Sequence, residues 1–566
     1  MSSIIPQDDP QWSQVYQSVN GNPNNLEEWE VLIKLTETFL VNNPNGASKE
    51  TARSIYDRML VRFPLLFGYW IKYADLELRI YGREGCEAIF EKAVAAFPNS
   101  VDIWTKYTEF LIKPVEEKAT EDARREAAVQ LKEKVRPVFE RGIQQVGRDF
   151  LSHPLWDSYI NFETWIDPNS KELLEILGVV INYPLHQYAR YYEHFVKLAG
   201  SHSVDVKHDV FLRTQQGTLD RWKFESKISR PYFHIIPLTP EELGNWNEYL
   251  NFEEQMGDPE QIRSLYGRAL VSAALYDAMW LRYLRWSVGN NEMENTKKIY
   301  ERAVSFVSKT SSKLRFYWSL ILESNGFIDQ ARQTLFELEK MVDLSDTHLL
   351  DVIVARVDFE KRASIKSCIS YIDKELKEKS GTTKKDKSQG SVRGDSLITR
   401  NSFLTFLKAN ILWKEKSDVD GARRLYEAGV DAYLFSAPFV INYFNFELAQ
   451  GDVQKLHFLW TTINLRSSIP TSLILVINRS YMEYLSRQGT PNALQLYMQV
   501  DLETNGPFMI RHLLKRKLAN TDNEAQTDAR LKRENGHPGI EIDISEVVQK
   551  KNPLEKYQRE QASYGV

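Results

Sequence analysis

Trp246-Asn-Glu-Tyr249-Leu-Asn-Phe252-Glu253 and, 20 residues after Trp246, Tyr266-Gly-Arg-Ala269-Leu270 together decide the fold. In the first phrase, aromatic residues recur at i, i+3 and i+6. At 100° per residue these positions fall on one face of a helix. The second phrase sets an aromatic, a small residue three later and an aliphatic at four, again one helical face. We term the two the A helix and the B helix. The small residue has a physical purpose: Ala or Gly there lets a bulky Trp from the A helix approach the backbone.

Both phrases recur along the chain. The A phrase returns at Trp70/Tyr73, Trp104/Tyr107, Trp156/Tyr159 and Trp280/Tyr283. The B phrase returns at Tyr56/Met59/Leu60, Phe90/Ala93/Val94, Phe139/Gly142/Ile143, Tyr300/Ala303/Val304 and Tyr426/Gly429/Val430. A basic residue stands two after most B aromatics (Arg58, Lys92, Arg141, Arg268, Arg302), and an Arg often stands three before (Arg53, Arg263, Arg423). Trp70 to Trp104 and Trp246 to Trp280 are each 34 residues. Prolines lie between phrases, as in Phe63-Pro64, Phe97-Pro98 and Tyr183-Pro184, where they end helices. Two helices per 34 residues predict an all-α solenoid of helical hairpins, each burying its face by stacking on its neighbours. The recurring aromatics Trp70, Tyr73, Phe90, Trp104, Tyr107, Trp156, Tyr159, Trp246, Tyr249, Tyr266, Trp280, Tyr283 and Tyr300 are therefore expected to form the repeat core. A ligand site would not recur in every repeat.

The composition agrees. Of 566 residues, 26 are Gly, 42% are apolar, 26% are charged and 12% are aromatic, as in a well-folded helical protein. No apolar run approaches the roughly 18 residues that span a bilayer; the longest, Leu473 to Ile477, reads as core. The N-terminus MSSIIPQDDPQW lacks the basic and apolar regions of a secretory signal. Cys86 and Cys368, 282 positions apart, fit a reducing compartment and exclude a disulfide framework or a structural zinc site. A net charge of -5 argues against a surface that wraps nucleic acid.

Breaks in the pattern suggest the organisation. Residues 1–20 read as an N-terminal extension, 21–200 as a first array and 201–240 as a linker. Residues 241–518 read as a second array with a disordered Gly/Ser/Lys-rich loop at 378–396, and 519–566 as a polar tail. Lys113 to Lys134 read as a lengthened helix pair.

The sequence carries no phosphate loop, nucleophile elbow, zinc-protease or dinucleotide motif. His186 and His194, eight apart, could share a helix face, but they lack the acidic or thiol partners of a metal site. Glu77, Glu163 and Glu253 occupy a repeat position and are expected to pair with Arg on B helices rather than to perform acid–base work. The chain reads as a non-enzyme without a cofactor. Arg511, Lys515, Arg516 and Lys517 form a short basic cluster, followed by Arg530, Lys532 and Arg533. It reads as a nuclear-import signal, a phosphate contact or the solvated face of a terminal helix.

The Trp-x2-Tyr-x2-Phe-Glu and Arg-x2-Tyr-x-Arg-Ala phrases resemble the HAT (half-a-tetratricopeptide) repeat of RNA-processing scaffolds. Arg221-Trp-Lys-Phe224-Glu225, Arg230-Pro-Tyr-Phe-His-Ile-Ile-Pro-Leu238 and the following Trp246 phrase resemble the junction between the two HAT arrays of the pre-mRNA-processing factor 39 family. The resemblance is sharp over about 220–305, recognisable from about 25 to 200 and weak after 340. It implies a nuclear scaffold of the U1 snRNP, acting when the 5′ splice site is first recognised. It also implies a homodimer, or a heterodimer with a HAT-repeat paralogue, joined through C-terminal repeats. The zinc-finger C subunit of the snRNP would be a partner, U1 snRNA would be reached indirectly, and no membrane is involved. The alternatives are a HAT scaffold of another machine, such as 3′-end cleavage or ribosome assembly, and a direct RNA binder using residues 511–533.

Overall fold

The computed structural model describes residues 9–201, 208–307, 311–341, 349–380 and 392–505. Among them are 24 helices and no strand, in two compact units that divide between residues 341 and 342. The first unit holds α1 Pro10–Gly21, α2 Leu26–Asn42, α3 Gly46–Arg62, α4 Phe67–Ala96, α5 Val101–Glu116, α6 Glu121–Val146, α7 His153–Ile166 and α8 Lys171–Val180. It continues with α9 Tyr188–Ser201, α10 His208–Glu225, α11 Pro240–Met256, α12 Pro259–Ser272, α13 Asp277–Gly289, α14 Met293–Phe306, α15 Ser312–Ser324 and α16 Ile328–Met341. The second holds α17 Leu349–Ala363, α18 Ile365–Ser380, α19 Val392–Lys416, α20 Val419–Tyr433, α21 Ala437–Gln450, α22 Val453–Arg466, α23 Thr471–Gln488 and α24 Pro491–Asn505. Each unit is a run of stacked helical hairpins, the helical-repeat solenoid that the 34-residue period requires.

Local sequence sets the turns. Gly257 and Gly451 end A helices in the left-handed conformation (φ 81° and 78°), and the following Asp258 and Asp452 cap the next helix through their side chains. Within α4, Gly82 (φ 76°, ψ -161°) breaks the run into an A segment and a B segment, so Trp70 and Phe90 lie on the two arms of one hairpin.

Several boundaries differ from the sequence reading. The 1–20 extension holds α1, whose Trp12 is buried and donates through Nε1 to Thr36 Oγ1 at 2.8 Å, so it forms the first hairpin with α2. The 201–240 linker contains α10, and only residues 226–239 of its described part are without helix. The polar run Thr214-Gln-Gln-Gly217 hides the helical period there, yet Phe224 stacks on Tyr249 as any B aromatic does (5.1 Å). The compact units divide after Met341. At the 378–396 loop, α18 runs to Ser380 and α19 begins at Val392; the span between lies outside the described residues, as do the tail and Arg511, Lys515, Arg516 and Lys517. In the Leu473–Ile477 run, Ile477 is buried but Val476 is 58% exposed, because the run follows one amphipathic helix rather than a buried one.

Candidate functional site

The repeat residues assemble into three kinds of contact. The first is a stack between each B aromatic and the A aromatic of the next hairpin. Tyr56–Tyr73, Phe90–Tyr107, Phe139–Tyr159, Tyr266–Tyr283, Tyr300–Trp318 and Tyr426–Tyr443 have ring centroids 4.3–5.2 Å apart and planes within 16°. Rings in such pairs add about 0.5–1.5 kcal/mol beyond the area they bury. Trp318 stands where other A helices carry Tyr, which is why the Tyr-based phrase passes over it.

The second is the tryptophan anchor. Trp29, Trp70, Trp104 and Trp280 are buried, and each donates its indole N–H to the carbonyl six residues earlier: Pro23, Pro64, Pro98 and Ala274, at 2.7–3.0 Å. Trp156 uses Gly147 O at 2.9 Å. Buried Trp246 finds no acceptor among the described residues. The small B residue does make room: a Cβ on Gly142 would stand 3.1 Å from Trp104. Of the aromatics named from the sequence, Tyr283 and Tyr300 are half-buried and the rest are buried.

The third is an ion pair beneath four stacks, Phe224–Tyr249 among them. Glu77 accepts from Arg53, Glu163 from Arg136, Glu253 from Arg221 and Glu447 from Arg423, at 2.6–3.1 Å. The four carboxylates are buried and held between helices. In each pair the Arg stands three before the B aromatic. Burial raises Glu253 above the usual carboxylate range, although Arg221 pulls the other way.

In one region a further carboxylate joins the repeat. Arg268 of α12 reaches Glu225 of α10 at 2.5 and 2.9 Å, and Asp149 after α6 at 3.2 Å, with all three side chains at most 11% exposed. Burial alone would lower Arg268, but Asp149 and Glu225 outweigh it and the guanidinium is raised. Asp149 is raised by burial, with Arg268 opposing. Arg148 adds a 2.8 Å bond to Asp258, and Phe233, Val271 and Ala274 join the hydrophobic core of the first repeats. This cluster clamps residues before 200 to those after 240. It was hidden in the sequence because its members are more than 40 positions apart. His186 lies outside α9, with its ring near those of Phe150 and Trp222, so it shares no helix face with His194. Both thiols are buried; burial pushes Cys86 up to about 12 and Cys368 up to about 11.

These side chains are spent on packing, so comparison with other chains is what bears on activity. Residues 13–197 match the family model described as PRP39 N-terminal HAT repeat, and residues 219–362 match PRP39 C-terminal HAT repeat. Pre-mRNA-processing factor 39 of Schizosaccharomyces pombe is 31% identical over 98% of this chain and 96% of its own. The chain belongs to the pre-mRNA-processing factor 39 family. The human protein of that name is 26% identical over 62% of this chain and 58% of its own. The U1 small nuclear ribonucleoprotein component PRP42 of Saccharomyces cerevisiae is 22% identical over 56% of this chain and 65% of its own. Family membership makes the chain a splicing-associated HAT-repeat factor. The two family models meet between residues 197 and 219, at the place where the sequence reading put its linker, while the clamp around Arg268 makes one packed unit of both sides. Among the described residues no helix is long and apolar enough to cross a membrane.

Proposed function

We propose that this protein is a non-enzymatic protein–protein scaffold of the U1 snRNP in the nucleus, acting when the 5′ splice site is first recognised. The observation that carries the reading is the near full-length relationship to pre-mRNA-processing factor 39, joined by the relationship to a named U1 component. Stacked hairpins support it physically, since they offer long faces to several partners at once. On this reading the partners are U1 snRNP proteins, the zinc-finger C subunit among them, with U1 snRNA held indirectly. The second unit would pair with a second copy or with a paralogous HAT-repeat chain. Phe458 and Leu465, seven positions apart on one face of α22, are 76% and 79% exposed, an apolar face open to a partner chain.

The test is a pull-down of tagged protein from nuclear extract at moderate salt, probed for each spliceosomal snRNA. Enrichment of U1 alone is the expected result. Recovery of a different snRNA, or of none, would remove the U1 assignment and leave the fold untouched.

A further inference from the structure

One repeat position is unlike its equivalents. The residue directly after the B aromatic is acidic at Asp57, Glu91, Glu140, Glu225, Glu301 and Glu427. Where a basic B residue follows in the next hairpin, this acid gathers that residue, and in two hairpins the A tyrosine as well. Asp57 takes Lys92 at 3.2 Å and the Tyr73 hydroxyl at 3.4 Å. Glu91 takes Arg141 at 2.8 and 3.1 Å and the Tyr107 hydroxyl at 2.7 Å. Glu225 takes Arg268. After Tyr266, however, stands Gly267. A Cβ there would lie 2.2 Å from Asn99 Nδ2, so a larger residue would require the Asn99 side chain to move.

The missing carboxylate leaves its two partners in place. Tyr283 and Arg302, the counterparts of Tyr107 and Arg141, line a cavity of about 350 Å³ together with Asn99, Ser264, Asn295 and Lys298. The Arg302 guanidinium has no side-chain or backbone acceptor among the described residues, whereas Lys92, Arg141 and Arg268 each have one. Burial pulls Arg302 below its ordinary range, with Tyr283 opposing. An arginine keeps its proton in proteins, and this half-buried guanidinium is open to an anion that would add charge-assisted hydrogen bonds. Beside the cavity, and sharing Pro98 and Arg302 with it, runs a mainly apolar groove of about 710 Å³ lined by Leu60, Trp70, Ala96 and Phe306.

We propose that this cavity is a docking site for an acidic peptide segment of a partner protein, whose Asp or Glu carboxylate takes the position vacated at Gly267 while a neighbouring apolar side chain enters the groove. Charge complementarity favours this occupant: five cations (Arg148, Arg263, Arg268, Lys298 and Arg302) line the cavity against the two carboxylates Asp149 and Glu260, and one further carboxylate restores the arrangement seen at Glu91, with the Arg302 guanidinium and the Tyr283 hydroxyl as donors. This deepens the scaffold reading by giving a chemistry to one partner contact.

The experiment is fluorescence anisotropy with the full chain and a labelled Leu-Glu-Leu-Glu-Leu peptide, its Leu-Gln-Leu-Gln-Leu counterpart and a short oligouridylate. The acidic peptide should bind, and its affinity should fall about tenfold in Arg302→Ala, as expected for losing a charge-assisted hydrogen-bonded pair. The Gln peptide should match that reduced level. In the double variant Asn99→Ala/Gly267→Glu, which supplies an internal carboxylate and keeps every cation, binding should fall equally. That variant decides the matter if Arg302→Ala fails to fold by circular dichroism. Absence of binding by the acidic peptide, binding indifferent to both variants, or Arg302-dependent binding of the oligouridylate instead would each overturn the proposal. None of these readouts involves U1 snRNA, so failure here is separable from failure of the pull-down.

Discussion

Trp104 of α5 and Val440 of α21 stand at the same repeat position, three residues before a stacked tyrosine, and both are 2% exposed. Around Trp104 the indole bonds back to the Pro98 carbonyl and pins the loop before the helix. Around Val440 there is no such donor, yet Tyr443 still stacks on Tyr426 (4.8 Å, 4°) and Glu447 still holds Arg423. In α23 the position carries Asn478, which instead accepts from Trp460 of α22 at 2.7 Å. The stack and the ion pair are thus retained in both units, while the tryptophan anchor at this position is a feature of the first. The aromatic stack sets how hairpins sit on each other, and the tryptophan adds buried area and fixes the turn.

The comparison is broken most forcefully at the anchor. Trp280→Ala should cost about 3–5 kcal/mol, the usual range for emptying a buried Trp site. Val440→Ala removes two methyl groups, about 1.6 kcal/mol at roughly 0.8 kcal/mol each before any cavity term. Urea unfolding of the two variants, followed by helix content, checks the order. Near-equal losses would mean that the tryptophan is not what distinguishes the units.

A gentler substitution isolates the hydrogen bond. Trp104→Phe keeps most of the ring and loses the donor to Pro98, for an expected cost of about 1 kcal/mol. Trp246→Phe removes an indole N–H that has no acceptor among the described residues, so its cost should be smaller and reflect shape alone. Equal melting shifts for the two would show that the N–H bond adds nothing to the anchor.

How far the sequence discloses the fold follows from the same contrast. Trp, Tyr and Phe at i, i+3 and i+6 are rare enough to expose the A helices around Trp70 or Trp280 unaided. Where Val440 and Asn478 replace the tryptophan, the helices persist but the phrase dissolves, and the resemblance past residue 340 weakens with it. The pairs under the stacks were legible as well, because Arg and Glu keep fixed offsets from the aromatics. In the clamp, Glu225 and Arg268 keep the repeat offsets, but Asp149 after α6 has none, and only folding brings it to Arg268. The division after Met341 was equally hidden, since α10 continues the repeat through a polar stretch.

The smallest effect tests the difference between the register that keeps its acid and the one at Gly267 that lost it. Arg141 donates to Glu91, and with Tyr107 it holds this carboxyl below the usual range against the cost of burial. The folded value therefore lies below the unfolded one, about 4.3. Its contribution is fully present above the unfolded value and is lost as pH falls through the folded one. The melting difference between the native chain and Glu91→Gln should be constant near neutral pH and close progressively below about pH 4.3. With both members of the pair more than 40% exposed, solvent screening keeps this gap small and reduces it further in high salt. A gap that persists unchanged into acid would mean that Glu91 acts through shape alone, and that Gly267 removes little more than a side chain from its own register.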